Sequence, residues 1–489
     1  MKADVCLILE GTYPYVYGGV SSWIHQLVTA FQDITFSIVH LSATGDVMHT
    51  SKYDIPPNII DFKEAFIHDF TDDRSRTHGL KAEGWAALRK YYSALGNNVP
   101  AELERFYEMV VDKRTRRLNI HDIMFSRQGW ETVVDFYKKV APKVSFIDFF
   151  WTMRLIHIPI LNIFNVDLPD ASVYHTVCTG YAGLLASIAR HSKKAPLILT
   201  EHGIYTYERK IDISRSAWIY SEAEKQMRAT RTLGFFKDLW INKFEILSRL
   251  TYDSADKVIT LCEGNRRLQI EGGADPGKCS VVPNGVYFEA ADGLGQRPGT
   301  NSIGFAGRVV SIKDVKMLIR AAKIVKEKIG SVKIYIMGER DEEPDYAEEC
   351  LRLTEMLGLQ DNIEFTGVVD LEDYFPLIDV MVLTSISEAQ PLSLLEAMSK
   401  GIPVVATDVG ACREMIMGKD DEDRGIGASG IVTRIGDPHD TANALIRILQ
   451  DQRLRDDMAR AGAERVKRYY TVKEMLQSYR EIYGSFLGA

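Results

Sequence analysis

The sequence predicts two doubly wound α/β domains, and three observations carry that prediction. The chain has 489 residues, which at about 150 residues per domain gives two large units or three smaller ones. Short apolar, β-branched runs alternate with helical stretches, the pattern of parallel sheets covered by helices on both faces. The alternation is cut by a polar Gly/Pro-rich stretch, Ala291 to Thr300, a linker composition. The cut near residues 284–300 divides the chain into a first domain, 1–285, a second, 286–465, and a closing helical segment, 466–489.

Strand candidates come first. In the first domain they are Val5–Leu9, Thr35–Leu41, Ser172–His175, Leu197–Glu201 and Lys257–Leu261. In the second they are Ser302–Ala306, Val332–Met337, Ile363–Thr366, Val380–Thr384 and Pro403–Thr407. Each is an apolar run bounded by turn residues, as a strand buried on both faces requires. After Lys313, the apolar residues Val315, Leu318, Ile319 and Ala322 recur at i, i+3, i+4 and i+7, one face of a helix. Two charged segments, 64–142 and 204–250, break the alternation and read as helical insertions into the first domain. The most apolar stretch, Val144 to Val166, contains Asp148, Arg154, His157, Pro159 and Asn162. Charges inside a membrane span are costly, so it reads as a buried helix followed by a loop, with a peripheral membrane contact as the lesser alternative.

Composition excludes several function classes. Hydrophobic residues make up 46% and charged residues 26%, which rules out a disordered chain or a disulfide-stapled peptide. The net charge of -8 does not suit nonspecific nucleic-acid binding, which needs a basic footprint. The six cysteines are scattered with no CxxC pair, as reduced buried thiols are. Met1-Lys2-Ala3-Asp4 leads straight into a strand rather than a signal peptide, so a cytoplasmic chain is expected.

Four motifs carry candidate chemistry. Glu10-Gly11-Thr12-Tyr13-Pro14-Tyr15-Val16-Tyr17-Gly18-Gly19 joins the first strand to a helix starting near Val20. Gly18 and Gly19 there permit a close backbone approach, and the helix start offers free N–H groups to a phosphate; a plain turn would read the same way. Next, Gly307-Arg308 and Lys313 follow a buried strand. Two cations at that end can neutralise a pyrophosphate, although surface charges are the bland alternative. The most specific motif is Glu388 to Glu396, two carboxylates separated by seven residues. Pro391 suits a first helical turn, so the amides of Leu392 and Ser393 lie between the acids. That order reads hydroxyl, phosphate, hydroxyl. Finally, His175 and Glu201-His202 end strands of the first domain, where ligands of open α/β sheets bind; His175 is the favoured candidate. A lone histidine is more often structural.

Together these residues resemble the retaining family-4 glycosyltransferases, which have the GT-B fold of two Rossmann-like domains facing a cleft. The second domain resembles them from Val281 to about Val432, through Asn284-Gly285, Gly307-Arg308, Lys313, Thr366-Gly367, Glu388 and Glu396. The first does so at Gly18-Gly19 and His175. The opening from Tyr13 to Trp23 and the large insertions are similar to the glycosyltransferases of Pel-type exopolysaccharide synthesis in biofilm-forming bacteria. The resemblance implies that Arg308 and Lys313 bind the donor pyrophosphate, Glu396 the ribose and Glu388 the donor sugar. It puts Val369 near the base and His175 at the reacting face, and it returns the last helix, Glu474–Phe486, to the first domain. Where the family often has Gly-Phe-Gly after the first glutamate, this chain has Ala389-Gln390-Pro391, which removes one amide.

The implied reaction moves a hexose or N-acetylhexosamine from a UDP-sugar to a growing polysaccharide. It proceeds with retention by same-face attack, and neither a metal nor another cofactor is expected. Membrane-bound synthase or export subunits would be partners, recruiting the chain to the inner face of the plasma membrane. A nucleotide-sugar epimerase on the same architecture, or a non-catalytic UDP-sugar-binding subunit of a synthase complex, would share these motifs.

Overall fold

Parallel strands need long crossovers, and this chain supplies them as helices. The computed structural model describes residues 2–45, 50–69, 80–95, 101–110, 123–216, 234–288 and 299–488. The chain forms two compact units. The first comprises Met1–Thr260, Arg267–Ser280 and Ile482–Ala489; the second comprises Leu261–Arg266 and Val281–Glu481.

The first unit holds a seven-stranded sheet. Its strands are β1 (Ala3–Glu10), β2 (Phe36–Ser42), β3 (Ile59–Phe66), β4 (Ala171–Thr176), β5 (Leu197–Glu201), β6 (Lys257–Thr260) and β7 (Cys279–Val281), in the order β3-β2-β1-β4-β5-β6-β7. The pairings from β3 across to β6 are parallel. Val5 through Leu9 of β1 are fully buried, as befits an interior strand flanked by β2 and β4. The insertions contribute the helices Ala82–Leu95, Ala101–Val110, Arg127–Val140, Tyr205–Arg215 and Phe235–Ser254. These bury Tyr91, Tyr92, Phe106 and Phe244 in the same core as β1 and β4.

The second unit holds a six-stranded sheet of β8 (Ser302–Ala306), β9 (Lys333–Met337), β10 (Ile363–Gly367), β11 (Val380–Leu383), β12 (Val404–Thr407) and β13 (Gly430–Thr433). Their order is β10-β9-β8-β11-β12-β13, all parallel. The strand order reverses between β8 and β11, the switch point where such sheets bind ligands. The helix Val315–Ile329 forms as its spacing requires, with Val315, Leu318, Ile319 and Ala322 fully buried.

All ten expected strands form, and three more join them. β3, β7 and β13 all lie at sheet edges. Every residue of β3 and β7 is only half-buried, so neither carries the apolar run of a central strand. A second correction concerns the stretch expected to be a buried helix. The helix Phe146–Ile163 is long and apolar enough to cross a membrane, but only half of it is buried, and Ile147, Trp151 and Leu155 face outward. The last helix, Val472–Leu487, buries Met475, Tyr479 and Tyr483 at four-residue spacing; from Ile482 on it belongs to the first unit. Of the linker Ala291–Thr300, only Gly299 and Thr300 are among the described residues.

One ion pair in the second unit is fully buried. Arg465 Nε lies 2.6 Å from Asp423 Oδ1, with both side chains inaccessible. The other guanidinium donors reach the carbonyls of Ile416, Asp423 and Gly427 at 2.8–3.0 Å, and Asp423 Oδ2 accepts the Lys419 amide at 2.9 Å. Every charge is therefore answered. Arg465→Met leaves Asp423 buried without its cation and should cost about 3–5 kcal/mol of stability; a loss under about 1 kcal/mol in a denaturant titration would contradict this account.

Candidate functional site

Loops at the carboxyl ends of β8 through β12 are stitched together by their backbones. The Gly307 amide donates to the Met337 carbonyl at 2.9 Å, Val309 to Glu339 at 2.8 Å and Gly338 to Gly367 at 2.8 Å. A Cβ at Gly338 would lie 2.0 Å from the Gly307 oxygen, so only glycine allows this approach. On the other side of β8, Ile386 donates to the Ile312 carbonyl at 2.8 Å. The Thr384 hydroxyl donates to the Lys313 carbonyl at 2.8 Å. These bonds hold the loop after β8 against the loop after β11.

The result brings two of the predicted residues into contact. The Lys313 ammonium pairs with Glu388 Oε1, with both side chains under one-fifth exposed. The Ser385 hydroxyl also donates to that oxygen, at 2.6 Å. The Glu388 backbone is backed by Gly410 (φ +49°), where a Cβ would lie 2.1 Å from the Glu388 carbonyl oxygen. Arg308, half-exposed, pairs with Glu342. Glu343 accepts the Ser311 amide at 2.9 Å and so tightens the same turn. Each of the two cations expected to bind a diphosphate pairs with a carboxylate, because opposite charges on neighbouring half-buried loops attract one another more strongly than in bulk water.

Pro391 sits one residue before its expected place, as the N-cap of the helix Leu392–Ser399. Leu392 and Ser393 form the first turn, whose amides have no intrahelical acceptor, and both are half-buried. Glu396, one turn further on, is also half-buried. Among the described residues no donor reaches its carboxylate. Burial, and then the nearby Glu372, raises its pKa above the ordinary carboxylate value. Val369 is half-buried against the apolar cluster around Met337 and Phe375. Sequence reasoning missed Glu342, Glu343, Ser385, Gly338 and Gly410; Asp341-Glu342-Glu343 reads as a solvated acidic run. No group of three or more His, Cys, Asp or Glu able to hold a metal occurs among the described residues.

In the first unit the structure corrects the reading of His175. It is fully buried. Its Nδ1 shares a 2.8 Å hydrogen bond with the Tyr483 hydroxyl, and its Nε2 one with Thr200 Oγ1 at the same distance. Burial, with His202 nearby, lowers its pKa to about 3. Both ring nitrogens are engaged inside the core, so the imidazole presents none to a substrate. His202 is also buried, 4.8 Å from the Trp23 ring. Gly18 caps the helix Gly19–Ala30 in an extended conformation, with open space where a Cβ would stand. Gly18 is therefore extended rather than part of a plain turn, and Gly19 begins the helix. Glu10, at the end of β1, accepts from the Tyr205 hydroxyl at 2.9 Å and the Ala182 amide at 3.1 Å. Near it, burial drives the Lys243 pKa well down, and the ammonium donates to the Tyr181 hydroxyl at 2.7 Å.

Two measurements test this geometry. Lys313→Met, Glu388→Gln and the double variant should show a coupling of about 1–3 kcal/mol in denaturant titrations, since each single change strands a half-buried partner; additive losses would mean the pair does not form. Glu396 has a raised folded pKa, so its stabilising contribution is present at acid pH and lost as pH rises through that value. Glu396→Gln should therefore raise the Tm at pH 7 by about 2 °C and leave it unchanged near pH 4, and a lower Tm at pH 7 would show that the carboxylate has a partner.

Residues 3–277 match the family described as "Domain of unknown function (DUF3492)". Residues 300–451 match "Glycosyl transferases group 1". A D-inositol 3-phosphate glycosyltransferase of Paenarthrobacter aurescens is 30% identical over 232 residues, covering 44% of this chain and 54% of that protein. A phosphatidyl-myo-inositol mannosyltransferase of Mycobacterium leprae is 30% identical over 266 residues, covering 52% and 66%. The chain thus spans about half to two-thirds of the length of these relatives. Among solved structures, Anabaena HepE in complex with UDP and glucose aligns with a TM-score of 0.59 at 14% identity, covering 99% of this chain and all of that one. The sucrose-phosphate synthase of Thermosynechococcus elongatus aligns with a TM-score of 0.60 at 16% identity, covering 99% of each chain. At these identities the likeness is one of fold: two Rossmann-like domains of the GT-B type. The chain belongs to the DUF3492 family, and behind that domain it carries a group 1 glycosyltransferase domain.

Proposed function

We propose that this protein is a retaining glycosyltransferase that moves a hexose or N-acetylhexosamine from a UDP-sugar to a growing exopolysaccharide of the Pel type. The observation that carries the reading is the meeting of Lys313 with Glu388, beside a helix start and a Glu396 that has no partner among the described residues. The group 1 domain, and a structural neighbour described with UDP and glucose, support a nucleotide-sugar donor. The finer assignment, to the PelF kind, rests on the opening from Tyr13 to Trp23 and on the insertions.

In this reading Lys313 is a shared cation. An ammonium has three donors, so it can keep Glu388 and still reach the leaving diphosphate. Arg308 exchanges Glu342 for the same group, which it grips with a planar fork. The first-turn amides of Leu392 and Ser393 add partial positive charge. Fixed donors aimed at the charge that develops on the bridging oxygen favour its departure, and they leave no step that calls for a metal. Glu396 accepts from the ribose hydroxyls. Glu388 holds a donor-sugar hydroxyl with its second oxygen, while the acceptor hydroxyl loses its proton to a donor phosphate oxygen on the same face. A carboxylate held by Lys313 and Ser385 is a weak nucleophile, which favours this route over a covalent adduct on Glu388. The acceptor is a polysaccharide end, and the place of action is the cytoplasmic side of a membrane, beside synthase or export subunits.

Titrating UDP tests the donor site. Arg308→Ala and Lys313→Ala should each weaken UDP binding roughly tenfold or more, as the loss of a charge-assisted hydrogen bond does; unchanged affinity in both would overturn the assignment. Glu388→Gln should lower turnover by about a hundredfold with UDP affinity nearly intact, since UDP lacks the sugar. Turnover should survive EDTA, and a loss restored by a divalent cation would refute metal independence.

A further inference from the structure

The reaction proposed above uses nothing on the helices Arg127–Val140 and Phe146–Ile163, yet their outer faces carry a large apolar surface. Ile147, Trp151 and Leu155 recur at four-residue spacing, with Ile147 67% and Trp151 53% exposed. Eight steps of 1.5 Å from Ile147 to Leu155 make a ridge about 12 Å long. Trp130, 50% exposed, extends the ridge sideways. Its ring lies 5.4 Å from that of Phe146 and 5.7 Å from that of Phe150, and Phe150 in turn lies 5.7 Å from Trp151. Phe125 closes the other flank beneath the Arg154 guanidinium, which sits 5.0 Å from its centroid and 5.6 Å from that of Trp151. Contiguous exposed apolar surface of this kind marks an interaction site rather than chance exposure.

The charge around the ridge selects the occupant. The chain as a whole is acidic, at -8, but residues 123–163 hold five basic side chains against three acidic ones. Glu131 is taken up by Arg127 at 2.9 Å, leaving Asp135 and Asp148 as the other acids. Lys138, Lys139 and Lys143, at the turn between the two helices, are exposed and have no ion-pair partner among the described residues. Tryptophans on an apolar ridge beside unpaired lysines match the layering of a bilayer surface, where indole rings settle at the headgroups and cations meet lipid phosphates.

We infer that this helix pair is a lipid-docking surface that lies flat on an anionic bilayer, with Trp130, Ile147, Trp151 and Leu155 entering the headgroup region. The contact is peripheral, because the inner half of the helix Phe146–Ile163 is packed into the unit's own core. Such a surface would bring the enzyme to the membrane without a partner subunit.

Flotation of the purified full chain with vesicles tests the inference, using phosphatidylcholine alone and phosphatidylcholine mixed with phosphatidylglycerol. The protein should float with the anionic vesicles, with a blue shift of tryptophan emission, and should be released by high salt. The Ile147→Glu/Trp151→Glu variant should bind at least about tenfold more weakly, because it places charge where apolar area was buried. The Lys138→Glu/Lys139→Glu/Lys143→Glu variant, altered only at exposed positions, should lose the preference for anionic vesicles. No flotation with anionic vesicles, or flotation unchanged in the ridge variant, would overturn the inference. So would self-association that the ridge variant abolishes without any vesicle binding, since the ridge would then join two copies of the chain. UDP titrations of the same samples report the donor site separately, so failure of either proposal leaves the other standing.

Discussion

Direct backbone contact between neighbouring loops is the constraint on which the candidate site depends. At Gly338 the chain passes so close to the Gly307 carbonyl that a single methyl group would collide with it, and at Gly410 the same holds against the Glu388 carbonyl. These approaches draw the ends of β8 through β12 into one surface. Lys313 and Glu388 lie 75 residues apart in sequence, and they meet because Thr384 and Ile386 bond the backbone on either side of Lys313. Side-chain chemistry follows from main-chain packing here.

Charge in the second unit is handled in two ways, according to depth. Arg465 and Asp423 are sealed in, and every nitrogen of the guanidinium and both carboxylate oxygens have a partner; such a pair fixes structure rather than offering itself to a ligand. Lys313, Glu388 and Glu396 are only partly covered, and Glu396 is left with a raised pKa and, among the described residues, no donor. A half-satisfied group is costly in a folding unit, and functional sites are where such cost concentrates. The first unit shows the sealed pattern around His175, whose imidazole serves the core by joining Tyr483 of the last helix to Thr200 of β5.

Part of this was legible along the chain. Central strands are buried on both faces, so their side chains are mostly apolar, with polar residues such as His175 and Glu201 gathered toward their carboxyl ends, and the ten runs read as strands are strands. Edge strands obey a weaker rule: β3 carries Asp61, Lys63 and Glu64 because one side of it meets water, and its pattern dissolves into the insertion that follows. The glutamate pair was visible because the seven-residue spacing and Pro391 imply a loop followed by a helix start. Glu342, Ser385 and Gly410 carried no such signal, since each gains its meaning from a loop elsewhere in the chain.

The order of apolar and turn residues alone determined the two parallel sheets, the helix after Lys313 and the identity of the charged motifs, because local periodicity and end signals act within a few residues. Which charge faces which partner was decided by tertiary structure. Lys313 against Glu388, Arg308 against Glu342, His175 withdrawn into the core and Trp151 turned out to solvent are all outcomes of packing between segments far apart in sequence. Burial and pairing are properties of neighbours in space, and a linear pattern holds no record of them.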